Sequence, residues 1–172
     1  LKSAVILAGL NSYGTTKISE SHKSRNHTEN MLRNNLNVIK VKEGNTNLIE
    51  VFGKRELEKI NVDVPADPSS AAFYTALTLL NKNSSIKMKN VCLNKTRIGF
   101  FNLLKKQGAK IKFENLKKEN NEIKGDIFVK SSVLKPINAP KQYYVSSTDE
   151  YPILFVIAAL TKGISKFYGI GD

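Results

Sequence analysis

Two adjacent carboxylates, Asp149 and Glu150, stand where a polar segment gives way to an apolar one. Residues 153–160 behind them are apolar throughout and predict a buried helix. Asp149 fits the N-cap of that helix, with Glu150 at the first helical position and Pro152 still in the first turn, where a missing N–H costs little. Carboxylates are electrostatically favoured at a helix N-terminus, and the helix behind would hold them rigidly, as a catalytic acid requires. A capped core helix explains the same residues without chemistry, and such caps are commoner than catalytic acids.

A second candidate site is the polar loop formed by residues 21–25, which contains two hydroxyls and two cations. A helix is predicted to follow it, because Asn26 and Glu29 have the spacing of a capping box. Met31, Leu32 and Leu36 would give this helix its apolar stripe. Hydroxyls, backbone N–H groups and the guanidinium of Arg25 before a helix would suit a phosphate or carboxylate. A solvated basic loop is an equally good interpretation.

Other common chemical motifs are missing from the sequence. It has no glycine-rich phosphate loop, no nucleophile elbow and no zinc-type spacing of cysteine and histidine. We interpret His22 and His27 as surface or loop residues and expect no metal site. The lysine pairs at 105–106 and 117–118 lack interleaved aromatic residues, so they favour solvated faces over a nucleic-acid surface.

Composition limits the class of protein. The chain has 172 residues, 41% of them hydrophobic, which suffices for a sizeable core. Its net charge of +12 would attract anions. Cys92 is the single cysteine, so an internal disulfide is excluded and a reducing compartment fits. No run of about 18 apolar residues predicts a membrane span. Because the chain opens at Leu1 within an apolar helix and closes at Asp172 after a strand-like run, we expect a fragment of a longer protein.

The apolar periodicity predicts a mixture of helices and strands. Asp67 and Pro68 form a strong helix start after a domain boundary near Val64–Pro65, and Gly108 is a typical helix stop. Helices are predicted at 2–10 (buried), from 26, at 71–80, 98–104 and 153–160. Strands are predicted at 15–19, 38–42, 48–52, 60–64, 84–91, 111–113, 123–129 and 164–168, with a charged turn at 116–122 and strand or loop at 133–140.

One helix–turn–strand pattern recurs along the chain. It occurs near residues 7–18, 76–87 and 158–166, roughly 70 to 80 residues apart. A unit of that length with helices and several strands suggests a repeated α/β subdomain. Coincidence between three such junctions is the alternative on the residues alone.

Four stretches together resemble the EPSP synthase family, above all its class II form. They are residues 1–10, 22–29, 64–73 and 149–154, and they occur in the family's order and spacing. The resemblance runs the whole length of the chain. Asn26 departs from the Asp that is usual in class II, but an Asn also suits a helix N-cap.

The resemblance implies an α/β (α+β) fold of the EPSP synthase type, an inverse α/β barrel or prism. In that fold two lobes, each of three βαβαββ repeats, are joined by a double crossover. Residues 1–63 would then be the last repeat portion of the first lobe. Residues 64–172 would begin the second lobe, with its first repeat and part of the next.

The implied activity is transfer of the enolpyruvyl group of phosphoenolpyruvate to the 5-hydroxyl of shikimate 3-phosphate, with release of phosphate, in chorismate and aromatic amino-acid biosynthesis. Asp149 matches the proton acceptor, Arg25 matches a ligand of the shikimate phosphate, and Ser24 would assist it. The resemblance implies no cofactor and no metal. It implies a cytoplasmic monomer that binds neither nucleic acid nor membrane.

Other residues in the resembling stretches receive structural roles or none. Glu150 is interpreted as structural, and Asp67, Ser69 and Ser70 as hinge and capping residues. Asn94 and Arg97 have no chemical role that we could assign from the sequence.

By the same resemblance, much of the active site lies outside these residues. Lys-Ser, Arg and Ser-Ala-Gln segments would precede Leu1, and a Lys-Glu-Ser-Asp-Arg segment would follow Asp172. Phosphate recognition depends on such cations. We therefore expect the 172 residues alone to be inactive.

Two alternative functions remain open at this point. The related enolpyruvyl transferase that acts on UDP-N-acetylglucosamine shares the fold, although the Asp-Glu-Tyr-Pro and Lys-Ser-Arg stretches favour the shikimate enzyme. A basic nucleic-acid-binding module would explain the charge, but no recognised nucleic-acid motif accompanies it.

Overall fold

The computed structural model describes residues 1–35 and 37–170, and these form two compact units. The first unit comprises Leu1–Asp63 together with Glu119–Glu122. The second comprises Val64–Lys118 and the chain from Ile123 onward. Each unit has its own hydrophobic core. The assignment of residues 1–63 and 64–172 to two lobes of a larger enzyme stays a prediction.

The first unit is a small antiparallel sheet with helices packed against it. Its elements are α1 (Lys2–Asn11), β1 (Thr15–Glu20), α2 (His27–Leu32), β2 (Ile39–Lys42) and β3 (Asn47–Phe52). β3 lies between β1 and β2, with Thr15 opposite Phe52 and Ile39 opposite Val51. The core consists of apolar side chains from both helices, the sheet and the turn before β2: Ile6, Leu32, Val38, Ile39, Ile49 and Val51. The strands predicted at 15–19, 38–42 and 48–52 are confirmed.

Several predictions for the first unit are corrected. Asn26 is the N-cap of α2, but its side chain makes no cap hydrogen bond. Instead of closing a capping box, buried Glu29 ion-pairs with Lys2 at 2.6 Å, because a buried carboxylate needs a counter-charge. His27 begins α2 rather than lying in a loop, and its side chain is 40% exposed, with Nδ1 2.8 Å from Glu122 Oε1. α1 buries only Ile6 and Gly9 of its residues.

The strand predicted at residues 60–64 is also wrong. This segment has no regular secondary structure, although Ile60 packs against the core of the first unit. Alternation of apolar residues predicts an extended backbone, but a strand also needs a partner for its N–H and C=O groups. Leu36 of the predicted apolar stripe lies outside the described residues.

The second unit repeats the element order of the first and then starts it again. Its elements are α3 (Pro68–Leu80), β4 (Ser85–Cys92), α4 (Gly99–Lys106), β5 (Lys110–Glu119), β6 (Glu122–Lys130), β7 (Asn138–Ala139), α5 (Tyr144–Ser147), α6 (Tyr151–Ala159) and β8 (Lys166–Phe167). Short 3₁₀ turns span Lys141–Tyr143 and Thr148–Glu150. Its sheet has the order β4-β6-β5, so in each unit the last of the three sheet strands along the chain lies in the middle.

The recurring helix–turn–strand junctions are confirmed as α1–β1, α3–β4 and α6–β8. Two of these helices also connect parallel segments. β7 and β8, on either side of α6, pair in parallel, with Asn138 opposite Lys166. Ala66 before α3 forms a parallel bridge with Val91 of β4. The start formed by Ala66, α3 and β4 is followed by α4, β5 and β6, which gives the mixed α/β repeat that the sequence predicted.

The charged turn predicted at 116–122 is much shorter than expected. β5 continues to Glu119 and β6 starts at Glu122, which leaves Asn120 and Asn121 as the turn. Their φ angles are 47° and 62°. Asn tolerates this left-handed region, and two such residues form the hairpin turn whose twist matches that of the strands. The charged residues of the segment 116–122 therefore lie mainly on the ends of two strands and not in a loop.

The helix boundaries in the second unit largely agree with the sequence. Asp67 caps α3 by accepting a hydrogen bond from the Ser69 N–H at 3.2 Å, with Pro68 at the first helical position. Gly108, with a φ of 98°, follows the end of α4. The strand expected at 164–168 is reduced to Lys166–Phe167. Within the described residues, no helix combines the length and the apolar character needed to cross a membrane.

Candidate active site

Asp149 lies on the 3₁₀ turn Thr148–Glu150, and α6 begins after it at Tyr151. The N-cap of α6 is therefore Glu150, and the prediction that Asp149 is the cap is wrong. The reason is that α5 runs directly into this turn. Thr148 already has helical φ and ψ angles of −53° and −47°, so the helical turn starts before Asp149. Pro152 lies in the first turn of α6, as predicted.

An aromatic cluster anchors the turn that carries Asp149. The buried Tyr151 ring packs edge to face with Tyr144 at 5.2 Å and with Phe155 at 6.0 Å between ring centroids. Burial, with a smaller contribution from Tyr144, raises the pKa of Tyr151, which keeps its hydroxyl neutral. Leu154 is fully buried one turn further along α6. The backbone that carries Asp149 is therefore held rigidly by packing.

Five polar side chains of the second unit form a connected network, which we call the Asp149 cluster: Asp67, Ser69, Arg97, Asp149 and Glu150. Nη2 of Arg97 lies 2.9 Å from Asp67 Oδ1, 2.8 Å from Ser69 Oγ and 3.9 Å from Asp149 Oδ2. The Ser69 hydroxyl donates in turn to Glu150 Oε1. The cluster thus connects the start of α3, the segment before α4 and the turn before α6.

The two adjacent carboxylates of the cluster differ in exposure. Glu150 is buried and accepts the Ser69 hydroxyl, whereas the Asp149 side chain is 47% exposed. An exposed carboxylate on a rigid turn can reach a bound alcohol and accept its proton. Asp149 is therefore the member of the pair that is open to a substrate.

A tight turn before α4 places Arg97 in the cluster. Asn94 is buried, and its Oδ1 accepts from the backbone N–H of Thr96 at 2.9 Å and from its hydroxyl at 2.8 Å. The N–H of Arg97 donates to the Asn94 carbonyl at 2.8 Å. Neither Asn94 nor Arg97 could be given a role from the sequence alone. A cation just before a helix N-terminus is unfavourable because it opposes the helix dipole. This unusual position was the feature of the sequence that could have marked Arg97 as a functional residue.

The loop predicted to bind phosphate lies in the first unit, between β1 and α2. Arg25 is exposed there. Ser24 donates both its backbone N–H, at 3.1 Å, and its hydroxyl, at 2.5 Å, to Glu20 Oε1. The Ser24 hydroxyl proton is therefore engaged inside the protein. Binding of substrate by Ser24 and Arg25 stays a prediction.

The carboxylate of Glu20 holds this loop in place by accepting hydrogen bonds from the residues around it. Burial opposes its ionisation, but hydrogen bonds from Ser24, Lys2 and Asn47 outweigh burial and lower the pKa of Glu20 from 4.5 to about 2. Lys2 Nζ lies 3.0 Å and 3.2 Å from the two Glu20 oxygens. The start of α1, the end of β1 and the loop before α2 are thus held by one carboxylate.

We expect Glu20→Gln to destabilise the first unit by about 2 kcal/mol at pH 7, because the donors around Glu20 lose their anionic partner. The Glu20 pKa is lowered by folding, so its contribution is full above pH 4.5 and disappears as the pH falls toward 2. The difference between wild type and variant should shrink over that range. Hydrogen exchange of the β1–β3 amides as a function of pH measures it.

Glu50→Gln is the control for Glu20. It removes a carboxylate of β3 that pairs with Lys17 at 3.6 Å, and Lys17 is mostly exposed. We expect this control to change stability by less than about 1 kcal/mol. Equal effects of the two variants at pH 7 would contradict the central role of Glu20.

One cavity of the second unit does not contain the candidate residues. It has a volume of about 550 Å³ and is lined by residues such as Leu79, Lys110 and Thr161. Within the described part of the chain, no member of the Asp149 cluster lines it. Because its polar lining consists of lysine, asparagine, serine and threonine side chains and includes no carboxylate among the described residues, the position of Asp149 is the better guide to chemistry.

Comparisons with known proteins agree on one family. The model of the family EPSP synthase (3-phosphoshikimate 1-carboxyvinyltransferase) matches residues 1–172. The chain is 42% identical to the 3-phosphoshikimate 1-carboxyvinyltransferase of Paramagnetospirillum magneticum, covering 100% of this chain and 39% of the relative. It is 40% identical to the protein of that name from Persephonella marina, covering 95% of this chain and 38% of the relative.

A solved structure supports the same family. The EPSP synthase from Acinetobacter baumannii superposes with a TM-score of 0.84 at 36% identity, over 96% of this chain and 37% of that one. The fold is thus of the EPSP synthase type. The chain spans about two fifths of the length of the relatives it matches. Since the family match extends over the whole sequence and the fold agrees with it, this chain belongs to the EPSP synthase (3-phosphoshikimate 1-carboxyvinyltransferase) family.

Proposed function

We propose that this chain is the central part of an enzyme that transfers the enolpyruvyl group of phosphoenolpyruvate to the 5-hydroxyl of shikimate 3-phosphate and releases phosphate. The observation that supports this most directly is the exposed carboxylate of Asp149 on a rigid turn, in a chain whose full length matches the family. The net charge of +12 suits both substrates, which are polyanions.

In the proposed reaction Asp149 accepts the proton of the substrate 5-hydroxyl. The hydroxyl oxygen forms a bond to the central carbon of phosphoenolpyruvate, whose methylene carbon takes up a proton. The tetrahedral adduct then loses that proton and its phosphate, which restores the carbon–carbon double bond. The base must lie within about 3 Å of the hydroxyl oxygen, and the anchored turn before α6 provides such a fixed position.

Arg25 is proposed to bind the 3-phosphate of the substrate, since a guanidinium can donate two parallel hydrogen bonds to a phosphate. Ser24 would assist only by turning its hydroxyl away from Glu20. We expect Arg25→Gln to raise the KM for shikimate 3-phosphate by about 10- to 100-fold, with a smaller effect on kcat. Steady-state kinetics of the full-length protein measure this change.

Arg55→Gln is the matched control, because Arg55 lies over the Phe52 ring at 4.9 Å and has no role in the proposed site. Its KM for shikimate 3-phosphate should remain that of the wild type. A KM that responds equally to both substitutions would contradict specific phosphate binding by Arg25.

The test of the function is an assay of phosphate release by the protein expressed from its complete reading frame. We expect turnover with shikimate 3-phosphate and phosphoenolpyruvate and none with UDP-N-acetylglucosamine as the acceptor. Turnover with the UDP-sugar alone would favour the related transferase. Salt-sensitive binding of generic DNA without turnover would favour the nucleic-acid module. The 172 residues alone are expected to show no turnover, and a monomeric, cytoplasmic enzyme without a cofactor stays a prediction.

A further inference from the structure

We propose that Arg97 is a positioning residue, which holds the Asp149 carboxylate in the orientation needed to accept the proton of the substrate alcohol. The proposal rests on the proposed transferase function and goes beyond it, because it assigns a task to a cation outside the reacting groups. Its basis is a single nitrogen, Nη2 of Arg97, which contacts three members of the Asp149 cluster.

Contacts other than that with Asp149 hold the guanidinium of Arg97 in place. The Arg97 side chain is only 14% exposed, and its Nη2 donates to Asp67 Oδ1 at 2.9 Å and to Ser69 Oγ at 2.8 Å. Asn94 shapes the turn from which the side chain starts. Placing a cation before α4 opposes the dipole of that helix, and the pairing with Asp67 offsets the cost.

The distance between Arg97 and Asp149 fits positioning better than a direct hydrogen bond. Nη2 lies 3.9 Å from Asp149 Oδ2, which is beyond hydrogen-bond range but well within range of a charge interaction. The attraction biases the direction of the carboxylate, and it places no donated hydrogen between Asp149 and an incoming hydroxyl. Because Arg97 is mostly buried, solvent screens this attraction less than it screens a surface pair.

Direct binding of substrate by Arg97 is a weaker interpretation of the same geometry. Asp67 already supplies a carboxylate to the guanidinium, and Ser69 connects it to the buried Glu150. These partners occupy the nitrogen that faces the cluster. A phosphate ligand would have to compete with Asp67 for the same donor.

The full-length protein provides the test. We expect Arg97→Met to lower kcat about tenfold, with the KM values of both substrates changed less than about twofold. Arg97→Lys should keep kcat within about threefold of wild type, because one nitrogen makes all three contacts and an ammonium can replace it. In an Asp149→Asn background, Arg97→Met should lower kcat by less than about twofold, since the residue acts through Asp149.

The matched control is Arg33→Met, which removes the cation paired with Glu43 in the first unit and should leave kcat unchanged. A raised KM with normal kcat would show that Arg97 binds substrate and would overturn the proposal. So would an equal loss of kcat in the wild-type and Asp149→Asn backgrounds.

A second comparison, between the Gln and Lys variants of Arg97, keeps the test valid if Arg97→Met does not fold. If Arg97→Met unfolds, Arg97→Gln replaces it, and equal kcat values for the Gln and Lys variants would overturn the proposal. A wild-type enzyme without turnover would instead refute the proposed function itself. That outcome is distinct from one in which the wild type is active and Arg97 is dispensable.

Discussion

Asp149→Asn is expected to lower the kcat of the full-length enzyme by about 10²- to 10⁴-fold, because a neutral amide cannot accept the proton of the substrate hydroxyl. The KM values should change little, since the substitution keeps the size and hydrogen-bonding geometry of the side chain. Asp149 is 47% exposed and its turn is anchored by the Tyr151 ring, so the fold should be retained. Steady-state phosphate release and a thermal unfolding curve measure both expectations.

Glu114→Gln is the control for this experiment. It removes a carboxylate of similar exposure, 40%, which pairs with Lys87 on the β-sheet of the second unit. Activity should then remain within about twofold of wild type, as is usual for an exposed pair. An Asp149→Asn enzyme with wild-type kcat would show that Asp149 is only structural, which is the alternative the sequence left open.

Phe101→Ala is expected to destabilise the second unit by about 3–5 kcal/mol, the largest effect on stability that we expect from a single truncation. The ring is fully buried on α4 and packs edge to face with Phe100 at 5.1 Å and with Phe113 at 6.1 Å between centroids. Its removal leaves a cavity in the core beneath the helix that follows Arg97. Hydrogen exchange of amides in β6 measures the loss within this unit.

Phe73→Ala provides the comparison, because that ring lies on α3 and is 62% exposed in the described structure. We expect it to change stability by less than about 0.5 kcal/mol in the chain of 172 residues. A loss below about 1 kcal/mol for Phe101→Ala would mean that the core has collapsed around the cavity or that the ring is not part of it.

Local chemistry in the sequence was enough to predict the elements that depend on local rules. Asp67 and Pro68 predicted the start of α3, and Gly108 predicted the end of α4, because capping and φ preferences act within a few residues. The recurring helix–turn–strand junctions were visible for the same reason. The errors at residues 60–64 and 116–122 came from features that need a partner strand or a register, which short-range alternation does not contain.

The sequence by itself determined that Asp149 and Glu150 stand immediately before an apolar helix, and the resemblance singled out Asp149 as the acid with a chemical task. Only the tertiary structure decided which of the two is exposed, and that Arg97 lies beside Asp149. Arg97 is separated from Asp149 by about fifty residues of sequence, and no spacing rule relates them. Their contact arises because α3, α4 and α6 pack on one core, and packing of distant segments is what a local pattern cannot encode.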